Sequence, residues 1–381
     1  MRAPTFLAIV LAVAASTAAQ ASAGTRGVVA PDSSTLVLSR PRVTTYGRAV
    51  SIKGVLKPAQ AGVYVDLVRR RHVVARTQTA FDGRFSFAFR LRDPGPYRVL
   101  SGNVRSVLVV ARIRPVLNAP ITGDRIVGQE LVVHGGLRPC GAGKLRLVVN
   151  RSDHHVVDNT FASCKSTTFS LPQVHRYSAW VEVVPSRGYA RVGRRFRFSV
   201  GAPRLYQGSR GHAVLVLERT LAAHQFALSN VDSVFGYDTL EAVYALQKLT
   251  GLPRTGIMTA TVWTALARLR PPRPRLHGDY IEVDKTRQVL FVVRASKVAL
   301  IIPVSTGATG NTPIGLFHVY SKVPGGAVMY YANYFTGAFA VHGYVYVPPY
   351  PASHGCVRVP MCFAIRLYGL IPLNSRVYIH Y

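Results

Sequence analysis

Acidic residues are in short supply in this 381-residue chain: 16 Asp and Glu face 47 Lys and Arg, for a formal net charge of +31. The deficit is steepest in the first half, where residues 1–203 hold 30 basic and 9 acidic side chains. A field of that sign draws polyanions, whether nucleic acid, anionic lipid or phosphate-bearing polymers. Cysteine is also rare, at four residues, which excludes a dense disulfide scaffold while remaining compatible with an oxidising compartment. No Cys-x-x-Cys spacing occurs, which weighs against a zinc site built from Cys140, Cys164, His154 and His155; a Cys140–Cys164 disulfide is the alternative. Charged residues make up only 17% of a chain that is 49% hydrophobic, so extensive disorder is excluded and a large core is available. Beyond the N-terminus no apolar run is long enough to span a bilayer.

What is present begins with a secretory signal pattern over residues 1–23. Arg2 is the positive start, Phe6 to Ala15 the short apolar run, and Ala21-Ser22-Ala23 the small-residue cleavage site. An uncleaved anchor is the competing reading. No cysteine lies near the cleavage site, so a lipid anchor is not indicated, and export removes nucleic acid from the expected partners.

The length predicts about two to four domains. Residues 24–115 carry short strand-like runs, among them Val63–Val68 and Phe85–Phe89, with turn signals at Asp82-Gly83 and Asp93-Pro94-Gly95-Pro96. Short strands at this spacing predict an immunoglobulin-like β-sandwich, and the pattern restarts over 116–202 as a second one. Arg69-Arg70-Arg71 and Arg194-Arg195 there are either solvated faces or contacts to anionic polymer. Over 203–270 the apolar period becomes helical, with Val214, Leu217 and Leu221 on one face. Asp238-Thr239-Leu240-Glu241 has the form of a capping box for a second helix, and Thr259 is placed to cap a third. Pro271-Pro272-Arg273-Pro274-Arg275 reads as a stiff linker over 271–277, a tether that sets the reach between two bodies. Strand patterns then resume through a β-rich domain over 278–381. The fold class is multidomain and mostly β.

Reactive chemistry concentrates in the last domain, at Ala340-Val341-His342-Gly343 and Ser353-His354-Gly355-Cys356-Val357-Arg358. A cysteine attacks as its thiolate, and its free pKa of about 8.5 calls for a nearby base or positive charge. Histidine can take and return that proton near neutral pH. Gly355 allows a tight turn that brings backbone N–H groups to a developing oxyanion.

These residues, together with Ser305-Thr306-Gly307 and Thr312-Pro313-Ile314-Gly315-Leu316-Phe317 upstream, resemble the L,D-transpeptidase catalytic domain of the YkuD type. The resemblance spans roughly 278–381. Residues 203–270 in turn resemble the small three-helix peptidoglycan-binding domain, in an N-terminal position, through Val234-Phe235-Gly236, Thr239, Ala242-Val243, Leu246-Gln247, Gly251-Leu252, Gly256, Thr261, Trp263 and Leu266. The family's two Asp-Gly pairs read Asp232-Ser233 and Thr255-Gly256 here, which leaves glycan affinity open; Leu246 and Trp263 are expected in the core.

The resemblance implies an exported enzyme of the cell wall that forms 3→3 peptidoglycan cross-links through a Cys356 acyl-enzyme. His342 is the implied base, oriented by the Gly343 carbonyl. Backbone N–H groups around His354, Gly355 and Cys356 are the implied oxyanion donors, and Ser353 hydrogen-bonds within the loop. His354 either positions substrate or shapes the loop, and Arg358 grips a substrate carboxylate or forms a structural ion pair. Met329, Tyr330 and Phe335 line the donor pocket or belong to the core. Water as acceptor gives L,D-carboxypeptidase activity from the same residues, and a catalytically decayed wall-binding scaffold is the alternative from another class. The chemistry implied needs no metal or organic cofactor. The partners implied are peptidoglycan stem peptides and glycan, with carbapenem-type β-lactams as acylating agents; anionic wall polymers are a further expectation from charge. Pro348, Pro349 and Pro351 predict a stiff lip between base and nucleophile. Pro360 opens a predicted helix to about Gly369, in which Cys362 is either redox-active or a buried free thiol.

Overall fold

The structure, a computed structural model, describes residues 28–39, 42–152 and 154–381. The expected signal over 1–23 lies outside them. Among the described residues no helix is long and apolar enough to cross a membrane. Contacts divide the chain into two units, one of residues up to Val116 with Arg187–Ala190, the other of Leu117–Ser186 with Arg191–Tyr381.

In the first unit side-chain alternation dictates the sheet faces. Arg84–Arg90 buries Phe85 and Phe87 and exposes the residues between them, as a strand covered on one face must. It pairs antiparallel with Ala49–Lys57, which pairs with Thr35–Leu38. A second sheet places Tyr64–Arg69 between His72–Gln78 and Gly95–Ser101. Ile52, Leu56, Leu67, Phe87 and Val99, drawn from both sheets, share one core. The Asp82-Gly83 turn, with Gly83 at φ +73°, joins strands of different sheets.

The second unit opens with a four-stranded antiparallel sheet, in the order His154–Ala162, Gly143–Arg151, His175–Pro185 and Gly193–Val200. A three-stranded sheet of Ile121–Thr122, Glu130–His134 and Ser166–Ser170 shares its core. Cys140 and Cys164 are joined by a disulfide, so neither thiol is free for zinc, and among the described residues no cluster of metal-ligating side chains occurs.

Three helices follow: α1 (His212–Ala223), α2 (Tyr237–Thr250) and α3 (Ala260–Ala267). Thr259 caps α3 by accepting from the Val262 N–H, as its position predicts. The expected capping box on α2 does not form. Gly236 is the N-cap, and Asp238 sits inside the first turn, where its Oδ2 accepts from the Ser229 and Asn230 N–H groups. Glu241 instead turns inward and is buried. The Asp232-Ser233 turn survives the loss of its glycine, with Ser233 at φ +65°, because buried Glu218 gathers the N–H groups of both residues at 3.0 and 2.9 Å and the Thr239 hydroxyl at 2.9 Å. Leu246 and Trp263 are core residues, as expected.

The C-terminal domain has two sheets. The first runs β3 (Lys297–Pro303), β2 (Val289–Arg294), β1 (Tyr280–Asp284), β9 (Arg376–His380) and β4 (Gly315–His318). In β2 the run Val289–Val293 is apolar without interruption because both faces are covered. Val289, Phe291 and Val293 point into the core shared with the helices, whereas Leu290 and Val292 point into the core beneath the second sheet. That sheet runs β5 (Ser321–Val323), β6 (Tyr330–Thr336), β7 (Phe339–Tyr344) and β8 (Val357–Pro360), with α4 (Met361–Leu370) packed against it. Pro360 is the residue preceding α4, not part of its first turn.

The linker does not act as a tether. The Arg275 and Leu276 N–H groups bond to Glu282 Oε2 and the Tyr280 hydroxyl, and Leu276 packs on the shared core. One continuous core therefore runs from the second β region through the helices to β1, β2 and β3.

Candidate active site

His342 lies in the middle of β7 and Cys356 immediately precedes β8. These strands pair in parallel, with His342 opposite Arg358, which places the histidine and the cysteine on adjacent strands. His342 is buried, and its Nδ1 is 2.9 Å from the Gly343 carbonyl oxygen. A carbonyl only accepts, so Nδ1 carries the proton and Nε2 is left as the basic nitrogen. Burial pushes the imidazole below its ordinary pKa; the Gly343 carbonyl opposes this, the Arg358 charge reinforces it, and the Val328 carbonyl opposes it. Burial likewise raises the Cys356 thiol, against the Ala340 N–H and the Arg358 charge. Burial thus favours the uncharged form of each group, while the Gly343 and Val328 carbonyls favour the charged form of the imidazole.

The loop before Cys356 is braced at several points. Ser353 Oγ donates to the Cys356 carbonyl at 2.6 Å and accepts from the Gly355 N–H at 3.0 Å. This narrows the expected oxyanion donors, because the Gly355 N–H is already spoken for. The N–H groups of His354 and Cys356 have no protein acceptor among the described residues. Gly355 is at φ +130°, and a Cβ there would lie 2.3 Å from Phe339 Cε1, so only glycine fits. The Ser305 and Arg358 backbones bond reciprocally at 3.0 Å, tying the segment that follows β3 to β8.

The other expected residues divide. The His354 side chain is exposed. Arg358 forms no ion pair among the described residues; its Nη1 donates to the Ala352 carbonyl and its guanidinium lies 4.1 Å from the Tyr344 ring centroid. Tyr330 is half-buried beside Gly343, with Met329 next to it. Phe335 is a correction: it is 3% exposed, packs against Phe317 and belongs to the core, because alternation along β6 turns it inward. Cys362 is another, since the residue is exposed rather than buried. Its thiol turns against α2, where desolvation first, then Glu241 and Asp238, push it up to about 12.

Sequence reasoning missed the side chains that reach the site from elsewhere. Arg254, after α2, donates to the Pro349 carbonyl in the proline lip at 2.5 Å. Buried Lys248 on α2 donates to the Val304 carbonyl at 2.8 Å, next to the Ser305–Arg358 tie. Ser305 Oγ also donates to the Tyr350 carbonyl, so the lip is held from several sides. Asn311 and Thr312 meet the catalytic loop. Thr312 stood within a family motif, but nothing in its position named its partner.

Comparison with known proteins gives two family matches. Residues 278–379 match the YkuD family, the L,D-transpeptidase catalytic domain, and residues 210–266 match the "Putative peptidoglycan binding domain" family. The second match lies in mid-chain directly before the first, so the peptidoglycan-binding module is not N-terminal in the chain. Among solved structures, the L,D-transpeptidase (residues 123–326) from Xylanimonas cellulosilytica is 33% identical, over 47% of this chain and 99% of that one, with a TM-score of 0.45. The L,D-transpeptidase (Yku) from Stackebrandtia nassauensis is 22% identical, over 46% and 93%, with a TM-score of 0.30. The catalytic domain of the E. faecium L,D-transpeptidase is 20% identical, over 28% and 100%, with a TM-score of 0.26. No curated protein matches.

Proposed function

We propose that this chain, which carries an L,D-transpeptidase catalytic domain of the YkuD family behind a peptidoglycan-binding domain, is an exported enzyme that forms 3→3 peptidoglycan cross-links. The observation that carries the reading is the parallel pairing of β7 and β8, with buried His342 on one strand and Cys356 entering the other. His342 Nε2 takes the thiol proton as Sγ attacks the carbonyl of the third residue of a donor tetrapeptide stem. The Cys356 N–H meets the oxyanion. Collapse expels D-alanine, whose amine takes the proton from His342, and leaves a thioester. The side-chain amine of an acceptor stem then attacks the thioester, its proton passes through His342, and the thiol is released. Arg358, with no carboxylate partner of its own among the described residues, is suited to a substrate carboxylate, and Tyr330 and Met329 flank the donor.

Two broader parts of the reading rest on sequence pattern and charge. Residues 24–202 are assigned to two immunoglobulin-like sandwiches behind a cleaved signal. Anionic wall polymers are assigned to the first of these, supported by a concavity of about 380 Å³ lined by Arg69, Arg70, His72, Arg90 and Arg92 with one acid, Asp93. Carbapenem-type β-lactams are expected to acylate Cys356.

The test is the full chain with a disaccharide-tetrapeptide, read by mass spectrometry beside Cys356→Ala. A cross-linked dimer that has lost one D-alanine, absent from the variant, is the expected result. Tripeptide without dimer would make the protein a carboxypeptidase. Wall binding without turnover would make it a scaffold.

A further inference from the structure

The turn Gly310–Thr312 carries no reacting group, yet it grips the catalytic loop by its carbonyls. Thr312 is buried; its Oγ1 donates to the Gly355 carbonyl at 2.7 Å and accepts from the Gly307 N–H at 2.8 Å. Asn311 Nδ2 donates to the His354 carbonyl at 2.8 Å. The turn is itself held by buried Lys285, whose Nζ donates to the Gly310 and Thr312 carbonyls at 2.8 and 2.7 Å.

The consequence follows from peptide geometry. In a planar trans peptide the C=O of one residue and the N–H of the next point in opposite directions. Fixing the Gly355 carbonyl therefore fixes the direction of the Cys356 N–H, one of the two loop donors left without a protein acceptor among the described residues. The restraint is needed because Gly355, at φ +130° and without a Cβ, is flanked by peptides that rotate at small cost. A donor preset toward the oxyanion costs no reorganisation when charge develops, and a hydrogen bond at its carbonyl polarises the same peptide.

We propose that Thr312 is the positioning residue of the oxyanion site: its hydroxyl aims the Cys356 N–H, while Asn311 and Lys285 steady the turn that carries it. The inference rests on the acyl-transfer reading of Cys356. Its test compares two reactions of that thiol in the full chain, each followed on the Cys356 peptide by mass spectrometry. Acylation by p-nitrophenyl acetate passes through a tetrahedral oxyanion. Alkylation by iodoacetamide displaces iodide at a saturated carbon and forms none.

Thr312→Val is expected to lower the ratio of acylation to alkylation by about 10²-fold, the effect of losing an oxyanion donor. Thr312→Ser, which keeps the hydroxyl, should restore most of the ratio. Equal loss in both reactions, or no loss in either, overturns the proposal, because packing and thiol access affect the two alike. Exposed Asn311 supplies a second variant that does not disturb the core: Asn311→Ala should shift the same ratio in the same direction by about tenfold or less, and an unchanged ratio there counts against the turn as a steadying element. A wild-type chain that accepts the acyl group but makes no dimer refutes the cross-linking reading alone. A Cys356 that resists acylation refutes both.

Discussion

Gly355→Ala subjects the site to two separable costs. The residue is at φ +130°, where a side chain is strained whatever the space around it, and the new Cβ would lie 2.3 Å from Phe339 Cε1 and 3.0 Å from Phe339 Cδ1. Backbone strain of this kind costs about 1–3 kcal/mol. Forcing a methyl into packed surroundings costs about another 1–3 kcal/mol. The loop also has an escape, because rotating the adjoining peptides relieves both terms while turning the Cys356 N–H away from the site. We expect the fraction of chains with a competent loop, and with it the acylation rate at Cys356, to fall at least about 30-fold, the low end of that sum. The assay is the rate of p-nitrophenyl acetate acylation, with circular dichroism melts to check the fold. Phe339→Leu in the same chain removes the ring atoms in the clash and leaves the φ strain. The double variant should therefore recover part of the rate. A Gly355→Ala chain acylated within about threefold of wild type would refute the account of the loop, since that ratio is worth less than 1 kcal/mol. A double variant with no recovery would refute the steric half alone.

Three further outcomes are expected. Burial raises Cys356, so its alkylation by iodoacetamide should increase with pH through a midpoint above the free-thiol value of about 8.5; Arg358→Gln, which removes a charge that lowers the thiol, should move it higher, and a wild-type midpoint below the free value would mean a resting ion pair. Burial lowers Lys248 to about 7, against Glu241, so the folded state binds fewer protons than the unfolded one between about 7 and 10.4, and stability rises with pH across that window. Burial raises Glu241 to about 7, against Lys248 and Tyr237, so stability falls as pH climbs from about 4.3 to 7; melting temperatures at pH 5, 7 and 9 should dip near 7, and a Glu241→Gln/Lys248→Met chain with the same dip would exclude the pair as its source. Arg254→Ala should speed hydrogen exchange in residues 344–352 by about tenfold, the loss of one charge-assisted hydrogen bond; unchanged exchange would mean that Ser305 and Arg358 hold the lip without the helical domain.

The last of these bears on what the helical domain does. As a tether it would influence catalysis only by keeping the enzyme near its polymer. Packed on the same core as β1, β2 and β3, and bonded to both the lip and the strand beside the nucleophile loop, it is part of the frame that holds the site. Under the proposed function, wall engagement by that domain would be mechanically continuous with the lip, a link a flexible linker would break.

The amino-acid sequence by itself singled out His342-Gly343 and Ser353–Arg358 as the candidate site, because a cysteine, two histidines and a turn glycine at fixed offsets are a matter of local residue types. It also determined the helix period of the helical domain, since period 3.6 is written directly in which residues are apolar, whereas β2, covered on both faces, carries no alternation. The tertiary structure decided what each polar group meets. Asp238 bonds Ser229 and Asn230 instead of closing a box, Glu241 faces Lys248, Phe335 enters the core, and the Pro271–Arg275 segment docks instead of spanning a gap. It decided too that the carbonyl behind the nucleophile is held by a threonine 43 residues away. Hydrogen-bond partners at that separation are chosen by which surfaces must be buried together, and burial is a property of the assembled fold that no local window contains.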